Sequence, residues 1–243
     1  MLDITQYYVS APSLSRTYRL ALVTDLHNCS YRQLLRGIRA QKPDAIVIAG
    51  DLLGNLHSRG VHSLEFLCEV TLEFPVFYAL GNHERLLNEE EHRVIRETGV
   101  RLLVNETAEF GELLIGGLRP DLPNQLHLID ASHLEFVKAF AKMPGYRILL
   151  CHRPEWYFLG ISDCDIPLVL SGHAHGGQIR LFGRPVFSPG QGLFPKYAQG
   201  MHEGRLIVSR GLGNHTICPR FFNVPELCII TVGPDKHNHK HKE

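Results

Sequence analysis

The chain carries no excess of charge of either sign: 25 Lys and Arg residues stand against 25 Asp and Glu in 243 residues. A general nucleic-acid binder neutralises phosphates with a basic surface, so this balance gives that class no support. No window approaches the roughly 18 unbroken apolar residues of a spanning helix. Residues 1–12 include Asp3 and Gln6 and no basic segment, which is not the pattern of a secretory signal, and a cytoplasmic location is expected. None of the six cysteines forms a C-x-x-C pair. That excludes a zinc ribbon and a thioredoxin-type motif, and leaves the thiols reduced and acting mostly as small buried hydrophobes. No glycine-rich nucleotide-binding loop is present.

What the chain has is an ordinary globular composition, 44% hydrophobic and 21% charged, and 15 histidines spread along its length. Apolar runs at 20–23, 45–49, 76–80, 148–151 and 167–170 lack strict alternation and read as strands buried on both faces. Amphipathic stretches lie between them: Leu34, Leu35 and Ile38 form one stripe, Leu64, Leu67, Cys68 and Thr71 a second, Leu134, Val137 and Phe140 a third. After Gly176 the character changes to Gly, Pro and short strand-like runs at 178–182, 206–208 and 227–232, with another at 113–115. The pattern predicts one layered α/β domain over 1–233, with a partly antiparallel second sheet. Residues 234–243, with His237, His239 and His241, read as a disordered polar tail.

Chemistry gathers where the runs end. They are followed in turn by Asp25 and His27, by Gly50-Asp51, by Gly81-Asn82-His83-Glu84, by His152, and by Gly172-His173-Ala174-His175. Ligands bind beyond the carboxyl ends of strands in open α/β sheets. The i, i+2 spacing lets Asp25 and His27 share one ion, and His173 and His175 as well. Imidazole and carboxylate without thiolate suit Mn, Fe, Zn or Ni. The donors outnumber those of one tetrahedral ion, and the short, central Asp51 is the natural bridge between two. Two ions roughly 3.5–4 Å apart activate a bridging water to hydroxide and neutralise charge on a phosphate undergoing in-line displacement.

The ordered set D-x-H, G-D, G-N-H-E, lone His and G-H-x-H resembles the calcineurin-like metallophosphoesterase superfamily over residues 25–175. The extension GHAHGGQ at 172–178, with Tyr197–Gly200 and Arg220 before Pro225-Glu226, is similar to its bacterial branch of YaeI-like and YkuE-like phosphodiesterases and UDP-2,3-diacylglucosamine pyrophosphatase relatives. The resemblance implies a four-layer α/β/β/α sandwich of two mixed sheets flanked by helices. It implies one divalent ion on Asp25, His27, Asp51 and His175, and a second on Asp51, Asn82, His152 and His173. His83 would then contact the phosphoryl group and protonate the leaving oxygen, and Asn82 would help hold substrate. The protein-phosphatase branch reads G-D-x-x-D-R-G, whereas Leu52-Leu53-Gly54-Asn55 follows Asp51 here. Ala174 and Glu84 stand where bacterial relatives commonly have Thr and Asp.

Arg119 and Arg153 are candidate phosphate contacts, because guanidinium forks match phosphate oxygens. His215 and His57 are placed to reach a substrate, while most of His62, His92, His127, His133 and His202 are expected to be surface or structural. The apolar stretch 181–197 reads either as a lip contacting acyl chains or a bilayer, or as a loop packed on the second sheet. The expected function is a phosphodiesterase or pyrophosphatase acting on a small or lipid-linked phosphate, peripheral at the membrane if at all. A silent scaffold of the same fold and a nuclease are the alternatives.

Overall fold

The computed structural model describes residues 1–54, 61–121, 128–188, 191–213 and 220–234. The strands of the first half are β1 (Asp3–Ser10), β2 (Tyr18–Val23), β3 (Ala45–Ala49), β4 (Val76–Ala79), β5 (Arg101–Leu103), β6 (Glu106–Phe110) and β7 (Leu113–Gly117). Those of the second are β8 (Tyr146–Leu150), β9 (Leu168–Ser171), β10 (Ile179–Leu181), β11 (Arg184–Ser188), β12 (Gly192–Leu193), β13 (Gly200–His202), β14 (Leu206–Val208) and β15 (Glu226–Gly233). The α-helices are α1 (Arg32–Gln41), α2 (Val61–Thr71), α3 (Glu89–Glu97) and α4 (Ala131–Phe140).

Two six-stranded sheets form, in the orders β1-β15-β2-β3-β4-β5 and β13-β14-β9-β8-β7-β6. In the first, β2 to β5 run parallel and β15 pairs antiparallel with β2. In the second, β7, β8, β9 and β14 run parallel between antiparallel edges β6 and β13. Both are mixed. The period-two pleat assigns each strand residue to a face. Leu20, Leu22, Val47, Ala49 and Phe77 meet Ile115, Ile148, Leu150, Leu168 and Leu170 between the sheets. Ala21, Val23, Ile46, Ile48 and Tyr78 point the other way, onto Leu34, Ile38, Phe66, Val70 and Ile95 of α1, α2 and α3. Leu149, Val169 and Val208 do the same toward Val137, Phe140, Trp156 and Tyr157. The layers are therefore helix, sheet, sheet, helix, as the motif resemblance implies.

Several local expectations shift. Of the expected stripe Leu64, Leu67, Cys68 and Thr71, helix α2 buries Leu67 and half-buries Leu64 against the core, and it buries Ser63, Phe66 and Val70 beside them. Ser63 is tolerated inside because its hydroxyl donates to the Leu52 carbonyl at 2.6 Å, while Cys68 is exposed. Cys29 is exposed as well, so only Cys151 and Cys228 are buried among the described thiols. Strand β1 escaped the apolar pattern because its inward side chains Asp3, Thr5 and Tyr7 are polar or amphipathic. Among the described residues of 181–197, β10, β11 and β12 form a three-stranded sheet of their own that leaves Phe182, Leu193 and Phe194 exposed, while Tyr197 stacks on Phe158 with centroids 3.5 Å apart. The tail 235–243 and His57, His127 and His215 lie outside the described residues. Among the described residues no helix is long and apolar enough to cross a membrane.

His133 has a structural use. Its ring is buried against Trp156, with centroids 4.5 Å apart. Its Nδ1 lies 3.3 Å from the Asp130 amide and its Nε2 lies 3.2 Å from the Arg119 carbonyl, while Asp130 caps α4 by accepting the His133 amide at 2.9 Å. Nδ1 also lies 2.8 Å from Asp130 Oδ1, and burial first, then Arg119, pulls the His133 pKa below its ordinary value against the opposing pull of Asp130. His133→Ala removes both ring bonds and leaves a hole beside Trp156, and is expected to cost about 2–4 kcal/mol in urea unfolding. Metal content of the folded variant should equal that of the wild type.

Candidate metal centre

The loops that leave β2, β3, β4, β8 and β9 are bonded to one another before any ligand is considered. The Asp25 amide donates to the Gly50 carbonyl at 3.0 Å and the His27 amide to the Asp51 carbonyl at 3.1 Å. The Gly172 amide donates to the His152 carbonyl at 3.1 Å, and the His173 amide to Asp25 Oδ1, also at 3.1 Å. His152 reaches across the sandwich, its Nδ1 donating to the Ala49 carbonyl at 2.8 Å. Both sheets thus deliver their strand ends to one place.

These loops turn sharply. Asp25, His27, Asp51, His173 and His175 all have φ between 48° and 63°, the left-handed region that costs most residues free energy. Two glycines make room for the carboxylates. A Cβ on Gly81 would lie 2.2 Å from Asp51 Oδ1, and one on Gly172 would lie 2.5 Å from Asp25 Oδ2.

The side chains form three overlapping groups: Asp25, His27 and His175; His27, Asp51 and His83; Asp51, His152 and His173. In each group the ligating atoms all lie within 4.8 Å of one another. In the first, His175 Nε2 is 3.5 Å from Asp25 Oδ1 and 3.2 Å from His27 Nε2. In the third, His152 Nε2 is 3.2 Å from both Asp51 Oδ2 and Asn82 Oδ1. Asp51 Oδ2 also lies 3.9 Å from His27 Nε2 and 3.8 Å from His83 Nε2, so Asp51 links the second and third groups, as His27 links the first and second.

The donor chemistry fits a cation. With its Nδ1 proton held by Ala49, neutral His152 turns a bare Nε2 lone pair toward two oxygens that can only accept. Something positive must sit among them: a proton on His152, or a metal ion. Burial disfavours the imidazolium, but the adjacent Asp51 carboxylate outweighs it and pushes His152 up to about 10. Burial would also raise Asp51, yet His152, then His27 and His83, hold it well below the usual carboxylate range. Asp25 is pushed up to about 6 by burial, against His152 and with the Asp51 charge adding. His173 and His175 are held neutral, well below the usual range, by burial first and then by the positive neighbours Arg153 and His27 respectively. Two neutral imidazoles and two buried carboxylates are the mixture a divalent ion accepts without thiolate.

A supporting shell was only partly legible in the chain. Glu84 is buried and accepts the Asp51 amide at 2.9 Å, the Gly81 amide at 2.6 Å and the Leu53 amide at 2.8 Å, pinning the β3 and β4 loops together. Arg153 is also buried: its Nη1 lies 2.8 Å from His173 Nε2 and 3.0 Å from Glu155 Oε1, and its other nitrogens bond Asp121. It belongs to the site through His173. Arg119 bonds Asp130, Ser132 and the Pro120 carbonyl, which makes it an anchor for the start of α4. Arg220 Nη2 approaches His175 Nδ1 at 3.5 Å and Asn223 bonds the His175 carbonyl. Arg220 belongs to the motif extension noted in the sequence, whereas nothing near His175 announces Asn223, which arrives from 48 positions away.

Residues 18–177 match the family model for calcineurin-like phosphoesterases, and the chain belongs to that family. An uncharacterized metallophosphoesterase of Campylobacter jejuni is 31% identical over 95% of this chain, which spans 63% of that protein's length. The UDP-2,3-diacylglucosamine pyrophosphatase LpxG of Chlamydia muridarum is 26% identical over 87% of this chain and 82% of its own. The phosphodiesterase YaeI of Escherichia coli is 26% identical over 81% of this chain and 76% of its own. Among solved structures, the TT1561 protein of Thermus thermophilus shares the fold with a TM-score of 0.51, at 15% identity, over 65% of this chain and 82% of that chain.

Asp51→Asn weakens the member common to all the donor groups but one, whereas Asp25→Asn touches one group. Elemental analysis is expected to find about two ions per wild-type chain, one or fewer in Asp51→Asn, and an intermediate value in Asp25→Asn. Equal metal content in all three proteins would contradict the shared-ligand geometry.

Proposed function

We propose that the chain is a dinuclear metal-dependent phosphoesterase that cleaves a phosphodiester or a diphosphate, its substrate small or lipid-linked. The observation that carries this reading is Asp51 Oδ2, set between His152 Nε2 on one side and His27 and His83 Nε2 on the other. Asp25, His27, Asp51 and His175 would hold one ion, and Asp51, Asn82, His152 and His173 would hold the other. When bound, the two ions supply an activated water at neutral pH and positive charge for the phosphoryl oxygens.

The chain's own residues do the rest. Asn82 contributes a neutral amide oxygen beside His152, a donor that would not cancel the charge of an ion held there. Arg153, committed to Asp121, Glu155 and His173, positions the His173 ring and is spoken for as a substrate contact. His83 follows Asn82, its amide donates to Asp51 Oδ1 at 2.8 Å, and its ring packs edge-on against His27. That holds the ring beside the donor groups while leaving it half-buried and open to a leaving group. It serves as general acid, handing a proton to the departing oxygen. A pyrophosphatase and a phosphodiesterase among the relatives support the substrate class, as does the lack of an Arg in Leu52-Leu53-Gly54-Asn55.

His83→Ala is expected to keep its metal and lose about 10²–10⁴-fold in turnover. The loss should shrink for p-nitrophenyl esters, whose leaving group departs without a proton. Turnover plotted against leaving-group pKa for the two proteins checks this; a uniform loss would assign His83 to phosphoryl binding, and a loss of metal would make it a ligand. Bis-p-nitrophenyl phosphate should be hydrolysed faster than the monoester by the reconstituted protein. Faster turnover of phosphopeptides than of any diester would overturn the substrate class.

A further inference from the structure

The small sheet β10-β11-β12 grows directly out of the metal-ligand loop. Its root is tied down by buried polar groups: Arg180 Nη1 donates to the Gly176 carbonyl at 2.9 Å, and Ser188 Oγ to the Ala174 carbonyl at 3.1 Å. At the neighbouring chain segment, the Arg180 amide donates to the Phe221 carbonyl at 3.0 Å and the Phe221 amide to the Gln178 carbonyl at 3.1 Å. This brings Phe221, the residue after Arg220, alongside Ile179.

The pairing then creates one apolar row. Phe221 is bridged to Ile179, Ile179 pairs with Phe187, and Phe187 pairs with Leu193. Directly paired residues project to the same face of a sheet, and the bulge between Ile179 and Arg180 lies at the end of this row. Phe221, Phe187 and Leu193 keep 54%, 40% and 69% of their surface exposed. Around the row, Phe182 is fully exposed at the β10–β11 turn, and Phe194 and Phe222 are each 77% exposed. These last three all have φ between 50° and 53°, a left-handed backbone that bulky residues seldom adopt. The chain thus holds three phenylalanines outward at a conformational cost, beside a site whose own loops are strained. A folded monomer rarely leaves so many large apolar side chains together in water.

Charge and composition identify what covers them. Between Asp165 and Glu203 there is no acidic residue, while Arg180, Arg184 and Lys196 lie in that interval of a chain whose net charge is zero. Arg184, at the start of β11, and Lys196, shortly after β12, are both exposed. The exposed apolar residues are Phe and Leu without Tyr or Trp, whereas protein–protein hot spots favour Tyr, Trp and Arg. Phe and Leu flanked by Arg184 and Lys196, in a stretch whose nearest acid is Glu203 beside Lys196, are the features of a surface that enters the interface of an anionic bilayer.

We propose that the β10-β11-β12 sheet, with Phe221 and Phe222, docks this protein onto an anionic lipid bilayer, with the metal-ligand loop at the margin of the contact. The docking rests on this surface alone; its consequence, that a phosphate is taken at the bilayer surface, rests on the phosphoesterase reading above. Phe182 and Phe194 enter the acyl boundary, and Arg184 and Lys196 meet lipid phosphates.

Flotation with vesicles of phosphatidylcholine alone, and of phosphatidylcholine with about a third phosphatidylglycerol, tests it. The wild type should float with the anionic vesicles, several-fold less with the neutral ones, and less again in high salt. Phe182→Ser/Phe194→Ser and Arg184→Glu/Lys196→Glu should each weaken anionic binding about tenfold or more. Both variants should hydrolyse soluble bis-p-nitrophenyl phosphate at the wild-type rate, which certifies their fold. Wild-type protein that stays soluble with anionic vesicles overturns the docking, as does unchanged binding by the phenylalanine variant. Concentration-dependent dimers lost in that variant, without vesicle binding, assign the patch to a second copy and equally overturn it. Vesicle binding by a protein with no phosphoesterase activity leaves the docking intact and sinks only the functional reading.

Discussion

A carboxylate removed from water must be matched by positive charge or by hydrogen-bond donors, and Asp51 is where this molecule meets that demand. Its Oδ1 accepts the His83 amide, its Oδ2 faces three imidazoles, and its own amide is held by Glu84. Everything around it follows from that placement. The β3 end must turn left-handed to present it, Gly81 must lack a side chain to admit it, and β4 must stop where His83 can reach back. The strain in these turns is offset by the sandwich beneath, whose apolar strands leave the loop ends little freedom to relax.

The two sheets share the site because each supplies what the other lacks. The first contributes Asp25, His27, Asp51, Asn82 and His83; the second contributes His152, His173 and His175. His152 closes the circuit through the Ala49 carbonyl at the end of β3. That bond fixes which ring nitrogen faces Asp51 and Asn82, so the layer packing and the tautomer of one histidine are coupled. Loosening the core between the sheets would disturb the donor set as surely as removing a donor.

The same loop that carries His173 and His175 continues into the small exposed sheet. Buried Arg180 and Ser188 fasten its root to the carbonyls of Gly176 and Ala174, while its apolar side chains point to solvent.

The strand-end motifs were readable because metal chemistry needs particular atoms at short spacing. Asp25-x-His27, Gly50-Asp51, Gly81-Asn82-His83, His152 and Gly172-His173-x-His175 each announce themselves within a few residues, as do runs such as 45–49 that are apolar on both faces. The helix register of α2 was only partly readable, since Ser63 counts as polar until the Leu52 carbonyl is known to accept its hydroxyl. Strand β1 was hidden by polar inward residues that pair with β15 more than two hundred positions away. Arg119 and Arg153 look alike as isolated guanidinium groups; tertiary contacts send one to the cap of α4 and the other to His173. The chain by itself determined which donors exist and that they end strands. Only the folded structure decided how they group, which nitrogen of His152 is bare, and which arginine stands beside them, because those depend on distances between segments that local spacing does not encode.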